Sequence, residues 1–354
     1  FIVRKISPPE AFWRALPASP PAPIRATSPP MRQPPAPSAT PSADRPVLGI
    51  GLMLLFCLLA PLADGLAKLL GAAVPLAQVV AVRFAAQAVL LVPIVWFMGG
   101  RLRPPPGLAP AIFLRTILHI VGIALMFLSL RALPLAEAIA IAYVMPFLVL
   151  AFGYLALGEE IGWRRLAACT AGFAGTLMVL QPTFREAGAA ALLPLGVAVI
   201  FAAFMLLTRR VARAMGPFEL QATNGLIGTA TLLPVLVLGA ATGWAEAAPI
   251  WPEPRALWLL AGIGLTGTAA HLALTVSLRF APTATVAPVQ YLEIPFALAL
   301  GLVMFGDLPG PLAVAGIVVV MAAGLAILMR ERRLAARGAL PQDPPRPPPA
   351  PPAA

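Results

Sequence analysis

Ten apolar stretches occupy the chain between residues 47 and 329, at about 47–71, 75–98, 109–131, 134–157, 163–181, 191–208, 218–239, 256–280, 282–305 and 311–329. Each is long enough to cross ~30 Å of hydrocarbon as a helix rising ~1.5 Å per residue. A chain carrying so many can satisfy its backbone in lipid only by closing every hydrogen bond within helices. A soluble protein with a large core is excluded by composition. Only 11% of residues are charged and the mean hydropathy is +0.88, whereas a hydrated surface carries roughly a quarter charged residues. The fold class is therefore all-α membrane. Short connections marked by Gly and Pro (Gly71 to Pro75, Pro104 to Gly107, Pro309 to Pro311) suit antiparallel neighbours.

Residues 1–46 and 331–354 hold half of the chain's 42 prolines and no helical or strand period, so both read as disordered tails. The chain begins with Phe1, which leaves its true start open. The first apolar stretch is too long and too far from the terminus for a secretory signal. A net charge of +11 could suggest nucleic acid, but the basic residues sit in tails and short loops, which indicates topology rather than an RNA groove. Counted on alternate sides of the stretches, nineteen Lys and Arg fall on one side, among them Arg101, Arg103, Arg164, Arg209 and Arg279, against Lys68, Arg131, Arg185 and Arg255 on the other. That asymmetry predicts a plasma, or bacterial inner, membrane protein with both termini cytoplasmic. Trp96 and Trp163 at one set of helix ends, and Trp244, Trp251 and Trp258 at the other, read equally as interfacial belts or as ordinary loop aromatics.

Sliding the chain on itself by 148 residues aligns 129–180 with 277–328 and gives 15 identities in 52 positions. The informative matches are Ser129 with Ser277, Arg131 with Arg279, Pro134 with Pro282, Tyr143 with Tyr291, and Gly153, Gly158 and Gly162 with Gly301, Gly306 and Gly310; Glu159 meets Asp307. Helices three to five thus recur as eight to ten. Because five is odd, the second copy threads the membrane in the opposite sense, the geometry of secondary transporters. The predicted organisation is a first repeat over 47–181 and a second over 191–330, ten transmembrane helices as two inverted five-helix units.

The stretch Leu133 to Pro182, LPLAEAIAIAYVMPFLVLAFGYLALGEEIGWRRLAACTAGFAGTLMVLQP, resembles the first EamA domain of the drug/metabolite transporter superfamily, and Ala287 to Arg333 resembles the second. Gln78, Arg83 and Phe84 in helix two fit the same pattern. The APVQYLEI and FGDLP phrasing is similar to the branch of S-adenosylmethionine uptake proteins. The resemblance implies ten helices, no nucleotide hydrolysis, and movement of substrate by exchange or by a proton or other gradient. No G-x-x-x-x-G-K-[ST] loop occurs to cradle phosphates.

Polar side chains at membrane depth are functional candidates because each costs a few kcal/mol to insert. Asp64 and Lys68 lie one turn apart and read either as a charge pair lining a cavity or as a salt bridge near the outer interface. Arg83 shares a face with Gln87, and Arg115 with His119; Arg115 is close enough to a helix end to reach water. His119 reads as a packing residue or, more sharply, as a proton relay. Glu293, with Gln290 and Tyr291 beside it, is the leading cavity candidate, paired to Arg83 or binding substrate or a proton directly. Tyr143 is the repeat partner of Tyr291. Glu137 and Glu219 stand near helix starts, where the dipole stabilises them. Pro146 and Pro295 fall at nearly matching places and would leave the Ala142 and Tyr291 carbonyls without their usual donors, so both read as hinge candidates or as packing kinks.

Cys57 and Cys169 lie in apolar runs as small hydrophobes, and with His119 and His271 the only histidines no metal site or cofactor is expected. An enzyme is disfavoured, since neither H-E-x-x-H nor G-x-S-x-G occurs. The function read from the sequence is a secondary transporter that moves a small organic metabolite, amino-acid-like, nucleoside-like or S-adenosylmethionine-like, by alternating access. A non-transporting membrane scaffold or assembly factor is the alternative. The expected partners are a small-molecule substrate and the bilayer, and a homodimer stays open.

Overall fold

The structure is a computed structural model that describes residues 46–145, 147–148, 163–211, 214–280 and 289–336. Pro146, Glu159, the glycines at 153, 158 and 162, and the tails before 46 and after 336 lie outside them, as do the side chains of Cys169, Arg164, Arg165, Arg209 and Arg279. Helix α1 spans Pro46–Leu70, α2 Leu76–Phe97, α3 Ala109–Leu130, α4 Leu135–Ala142, α5 Trp163–Ala187, α6 Leu193–Val211, α7 Pro217–Thr242, α8 Pro254–Phe280, α9 Glu293–Phe305 and α10 Pro311–Ala336. A 3₁₀ turn, Gly188–Leu192, joins α5 to α6. No strand occurs among the described residues. Among the described residues, six stretches are long and apolar enough to cross a membrane: Val47–Leu70, Leu76–Phe97, Ala109–Leu130, Thr170–Thr208, Pro217–Thr242 and Pro254–Ser277.

Local sequence sets the ends. Pro occupies the first position of α1, α7, α8 and α10, and Pro75 and Pro134 immediately precede α2 and α4, sites where a missing N–H costs nothing. Gly243 and Gly306 close α7 and α9 at φ of 69° and 72°, in the left-handed region that glycine enters without a Cβ clash.

Two helices differ from the sequence expectation. The one expected over 134–157 is interrupted after Ala142 by a turn at Tyr143–Val144, with Met145, Phe147 and Leu148 helical again; the one expected over 282–305 is interrupted by a turn at Tyr291–Leu292 and restarts at Glu293. These breaks are 148 residues apart, the repeat offset itself. In an unbroken helix the Pro295 ring would collide with the Tyr291 carbonyl. Restarting at Glu293 places Pro295 in the first turn instead, and the Tyr291 carbonyl accepts from the Ile294 N–H at 3.3 Å, so it is not the orphan acceptor that sequence suggested. Two other ends run long: α5 continues to Ala187 and α10 to Ala336, six residues into the stretch read as tail.

The most extensive helix pairings are unchanged when helix n is exchanged with helix n+5. α1 packs on α8 as α6 does on α3, α2 on α8 as α7 does on α3, and α1 on α9 as α6 does on α4, while α2–α7, α4–α9 and α5–α10 map onto themselves. Glycine permits two of the self-paired crossings. A Cβ on Gly225 of α7 would stand 2.7 Å from the Ala88 backbone nitrogen of α2, and one on Gly316 of α10 would stand 2.6 Å from the Gly175 carbonyl of α5. Without a hydrophobic gradient between helix and lipid, such close backbone approach supplies the attraction. Threonine hydroxyls on five of the helices, Thr116, Thr176, Thr208, Thr229 and Thr266 among them, donate to the carbonyl four residues back, which satisfies them without water.

One end of the bundle, formed by the α1–α2, α3–α4, α7–α8 and α9–α10 connections, is tied across the two halves. Lys68 Nζ lies 2.6 Å from Asp307 Oδ2 and 4.6 Å from the Phe305 ring centre. Lys68 therefore pairs across to the end of α9 and not with Asp64, which lines the interior cavity. Arg131 donates to the Glu246 carboxylate at 2.9 Å and to the Gly71 carbonyl at 3.2 Å. Glu246 in turn accepts the Leu76 N–H, and Gln78 makes a reciprocal pair with the Ile250 backbone, so the α7–α8 loop caps the start of α2. Slight burial raises the Glu246 carboxyl, but the Arg131 and Leu76 hydrogen bonds and the Arg131 charge outweigh it and hold it below the usual carboxylate range. A depressed folded-state value means this contribution is full above the ordinary carboxylate pKa of about 4.3 and is lost as pH falls through the folded value. The melting temperature is expected to drop as pH is lowered below about 4, and to drop less in Glu246→Gln. Equal pH curves for the two proteins would show that the tie contributes nothing to stability.

Candidate functional site

A central cavity of about 160 Å³ opens where both halves meet, lined from α1, α2, α3, α4, α6, α8 and the 290–293 segment. At ~10–15 Å³ per water that is room for about ten waters, enough to hydrate charged walls. Most of the lining is apolar and aromatic: Phe56, Phe127, Phe201, Phe204, Tyr143 and Tyr291, with Met126, Met145 and Met205. Its polar groups are Asp64, Arg83, His271, Gln290 and Glu293.

The two helix breaks meet at this cavity. The Tyr143 and Tyr291 rings are 5.3 Å apart. The Tyr143 hydroxyl lies 2.6 Å from the Gln290 carbonyl oxygen and 2.7 Å from Glu293 Oε2. Cys57, fully buried, donates its thiol hydrogen to the Val289 carbonyl at 3.3 Å. Glu293 thus bonds a tyrosine of the opposite half, and no ion pair joins it to Arg83 among the described residues.

Arg83 is 4% exposed, and among the described residues its Nη1 has no hydrogen-bond partner. Asp64 is the acid whose charge reaches it most strongly, yet no contact within 4.0 Å joins the two. Gly267 makes room on the far wall, since a Cβ there would sit 2.9 Å from Arg83 Nε.

Arg115 does not reach water, as its place near a helix end suggested. It is 1% exposed, donates from Nε to Thr208 Oγ1 at 2.8 Å and from Nη1 to Asn224 Oδ1 at 3.1 Å, and stacks 4.4 Å over the Phe204 ring. Arginine can only donate, so the Asn224 amide nitrogen faces His119 Nδ1, 2.9 Å away. That ring nitrogen is then the acceptor and the hydrogen sits on Nε2, which has no partner. His119 lies behind the cavity wall with its ring 4.7 Å from His271, which does line the cavity. Gln87 donates to the Gln221 carbonyl and side chain at 2.7 and 2.8 Å, and Gln221 donates to Thr275 at 2.9 Å. Glu137 is 6% exposed and accepts from Thr183 at 2.5 Å, a stronger tie than the helix dipole alone.

Of the sequence candidates, Asp64, Arg83, Tyr143, Gln290, Tyr291 and Glu293 share one cavity, His119 stands behind it, Lys68 belongs to the tied loop end, and Pro295 is exposed in the first turn of α9. Pro146 lies outside the described residues. Sequence reasoning missed His271, Asn224 and Gln221. The signal was there for the last two, polar amides one turn apart in the second and third turns of α7.

The model of the EamA-like transporter family matches residues 47–181 and again 188–329. A riboflavin transporter of Rhizobium johnstonii is 32% identical over 62% of this chain and 70% of its own length. An S-adenosylmethionine uptake transporter of Rickettsia felis is 23% identical over 82% of this chain and 95% of its own. A solved crystal structure superposes with a TM-score of 0.55 at 21% identity, covering 81% of this chain and 97% of that one, which speaks to the fold.

Proposed function

Since the chain belongs to the EamA-like transporter family and is an integral membrane protein, we propose that it carries a metabolite with a planar nitrogen heterocycle across the bacterial inner membrane by alternating access. Riboflavin and S-adenosylmethionine, named for the relatives above, share that feature. The observation that carries the reading is the meeting of two helix breaks, 148 residues apart, at one cavity between the halves. Broken helices at matching depth in two repeats expose backbone only where protein or a watered cavity receives it. The pairings that survive exchange of halves support ten spans in two inverted repeats. The aromatic lining suits a flat ring, each well-placed ring pair adding about 0.5–1.5 kcal/mol beyond burial, and Arg83, Asp64 and Glu293 offer polar groups to fix its orientation.

The basic-residue asymmetry supports termini and an Arg101 loop in the cytoplasm and a Glu246 end outside. Single cysteines at Arg101 and Ala248, in a background lacking Cys57 and Cys169, are expected to be protected from and open to impermeant thiol reagents respectively; the reverse labelling sinks the orientation. For transport, purified protein in proteoliposomes should take up radiolabelled riboflavin or S-adenosylmethionine above empty vesicles, saturably. Absence of flux for both, from protein that melts cooperatively, overturns the substrate class.

A further inference from the structure

We propose that Glu293 is a proton-binding site: with its proton in place it pins Tyr143 to the Gln290 carbonyl, and when the proton leaves, that carbonyl is released to bind a cationic or N–H-bearing part of the substrate. The inference rests on reading the central cavity as the substrate site.

The argument is one of counting hydrogens. A phenol carries a single hydrogen, and the Tyr143 oxygen stands within 2.6 Å of the Gln290 carbonyl and 2.7 Å of Glu293 Oε2. The carbonyl can only accept. Two short bonds at one hydroxyl therefore require the Tyr143 hydrogen on the carbonyl and a hydrogen on Glu293 donated to the Tyr143 oxygen. An ionised Glu293 could supply none: both neighbours would compete for the one hydrogen, and two oxygen acceptors would face the phenol with a single donor between them.

Loss of the proton to cavity water changes the connections without breaking a covalent bond other than the carboxyl O–H. The Tyr143 hydroxyl turns to the carboxylate, a charge-assisted bond about twice as strong as a neutral one. The Gln290 carbonyl, at the helix break where no backbone donor follows in register, then lacks its hydrogen bond. Among the described residues it keeps a long contact from the Cys57 thiol at 3.8 Å, a weak donor already 3.3 Å from the Val289 carbonyl. A bare carbonyl beside a fresh carboxylate attracts a positive or N–H-bearing group, so proton and substrate exclude each other at this point. Because Tyr143 belongs to the first half and Gln290 and Glu293 to the second, the proton also removes or makes one of the ties between the two broken helices.

The groups facing Glu293 fit a site that exchanges charge with its contents. Asp64 and Cys57 come from α1, Tyr143 from α4 and Tyr291 from its own segment, with Arg83 of α2 and His271 of α8 across the cavity. The repeat partner of Glu293 is Met145, so only one half carries the acid and the cycle binds one proton here.

Infrared difference spectroscopy of the purified, substrate-free protein tests the first step. The C=O stretch of a protonated carboxyl should be present at neutral pH, absent in Glu293→Gln and retained in Asp64→Asn. If no band disappears with Glu293→Gln, the carboxyl is ionised and the proposal fails, whatever the protein transports. The second step is read by binding S-adenosylmethionine, a sulfonium cation, and riboflavin, an N–H-bearing neutral ring, across pH. In wild type the affinity should rise with pH by up to about tenfold per unit, as release of one proton requires, and in Glu293→Gln it should be flat because the amide N–H keeps Tyr143 on the carbonyl. A pH-independent wild-type affinity overturns the exchange. Should the band behave as expected while neither probe binds, the proton site stands and the substrate class above is what fails.

Discussion

Replacing Arg83 by Met is expected to cut transport by about one to two orders of magnitude while leaving the melting temperature unchanged or raised. The guanidinium is 4% exposed, with one nitrogen bonded to nothing among the described residues, so in the resting protein it carries a desolvation cost that its surroundings do not fully return. Exchange for an apolar side chain of similar length removes that cost, while Asp64 still faces the cavity. On the proposed reading of the cavity, what is lost is a charge-assisted bond to the substrate, worth about 1.5–3 kcal/mol, hence the size of the effect on rate. Opposite movement of activity and stability marks a residue kept for its function. A variant that fails to insert or melts well below wild type would make Arg83 structural instead.

Gly225→Leu is expected to abolish the folded protein, and Gly225→Ala to lower its melting temperature. Even a methyl would stand 2.7 Å from the Ala88 backbone nitrogen and 3.1 Å from its Cα, and backbone cannot swing aside as a side chain can. α2 and α7 must move apart, which stretches the Gln87–Gln221 bonds at 2.7 and 2.8 Å one turn away. Overpacking of this kind costs about 1–3 kcal/mol for one methyl, and more for leucine. Size-exclusion profiles in detergent read the loss directly. A Gly225→Ala protein that melts with wild type would show that the crossing has slack.

Much of this architecture was legible in the amino-acid order because lipid leaves few choices. An apolar stretch of twenty residues must be a helix there, Pro at a helix start and Gly at its end mark the boundaries, and a 148-residue self-match announces two copies. The pairing of Tyr143 with Tyr291 came from that match alone, and the helices break at these two residues. Glu293, Gln290 and Arg83 stood out because polar groups at membrane depth are costly and few.

Which partner each polar group takes was decided by the tertiary structure. Lys68 and Asp64 are one turn apart, a spacing that permits a pair, yet Lys68 meets Asp307 because the end of α9 folds back beside α1. Arg115 looks like a snorkelling arginine in one dimension and is sealed by Thr208, Asn224 and Phe204, from helices more than 80 residues away. His271 carries no mark in its local sequence; it reaches the cavity because α8 packs between α1 and α2. Sequence determined that the chain folds as helices and where most of them start, since backbone hydrogen bonding in lipid is satisfied within each helix by itself. The site is a property of how helices from the two halves cross, and side-chain hydrogen bonds between distant segments exist only after that crossing has brought donor and acceptor within about 3 Å.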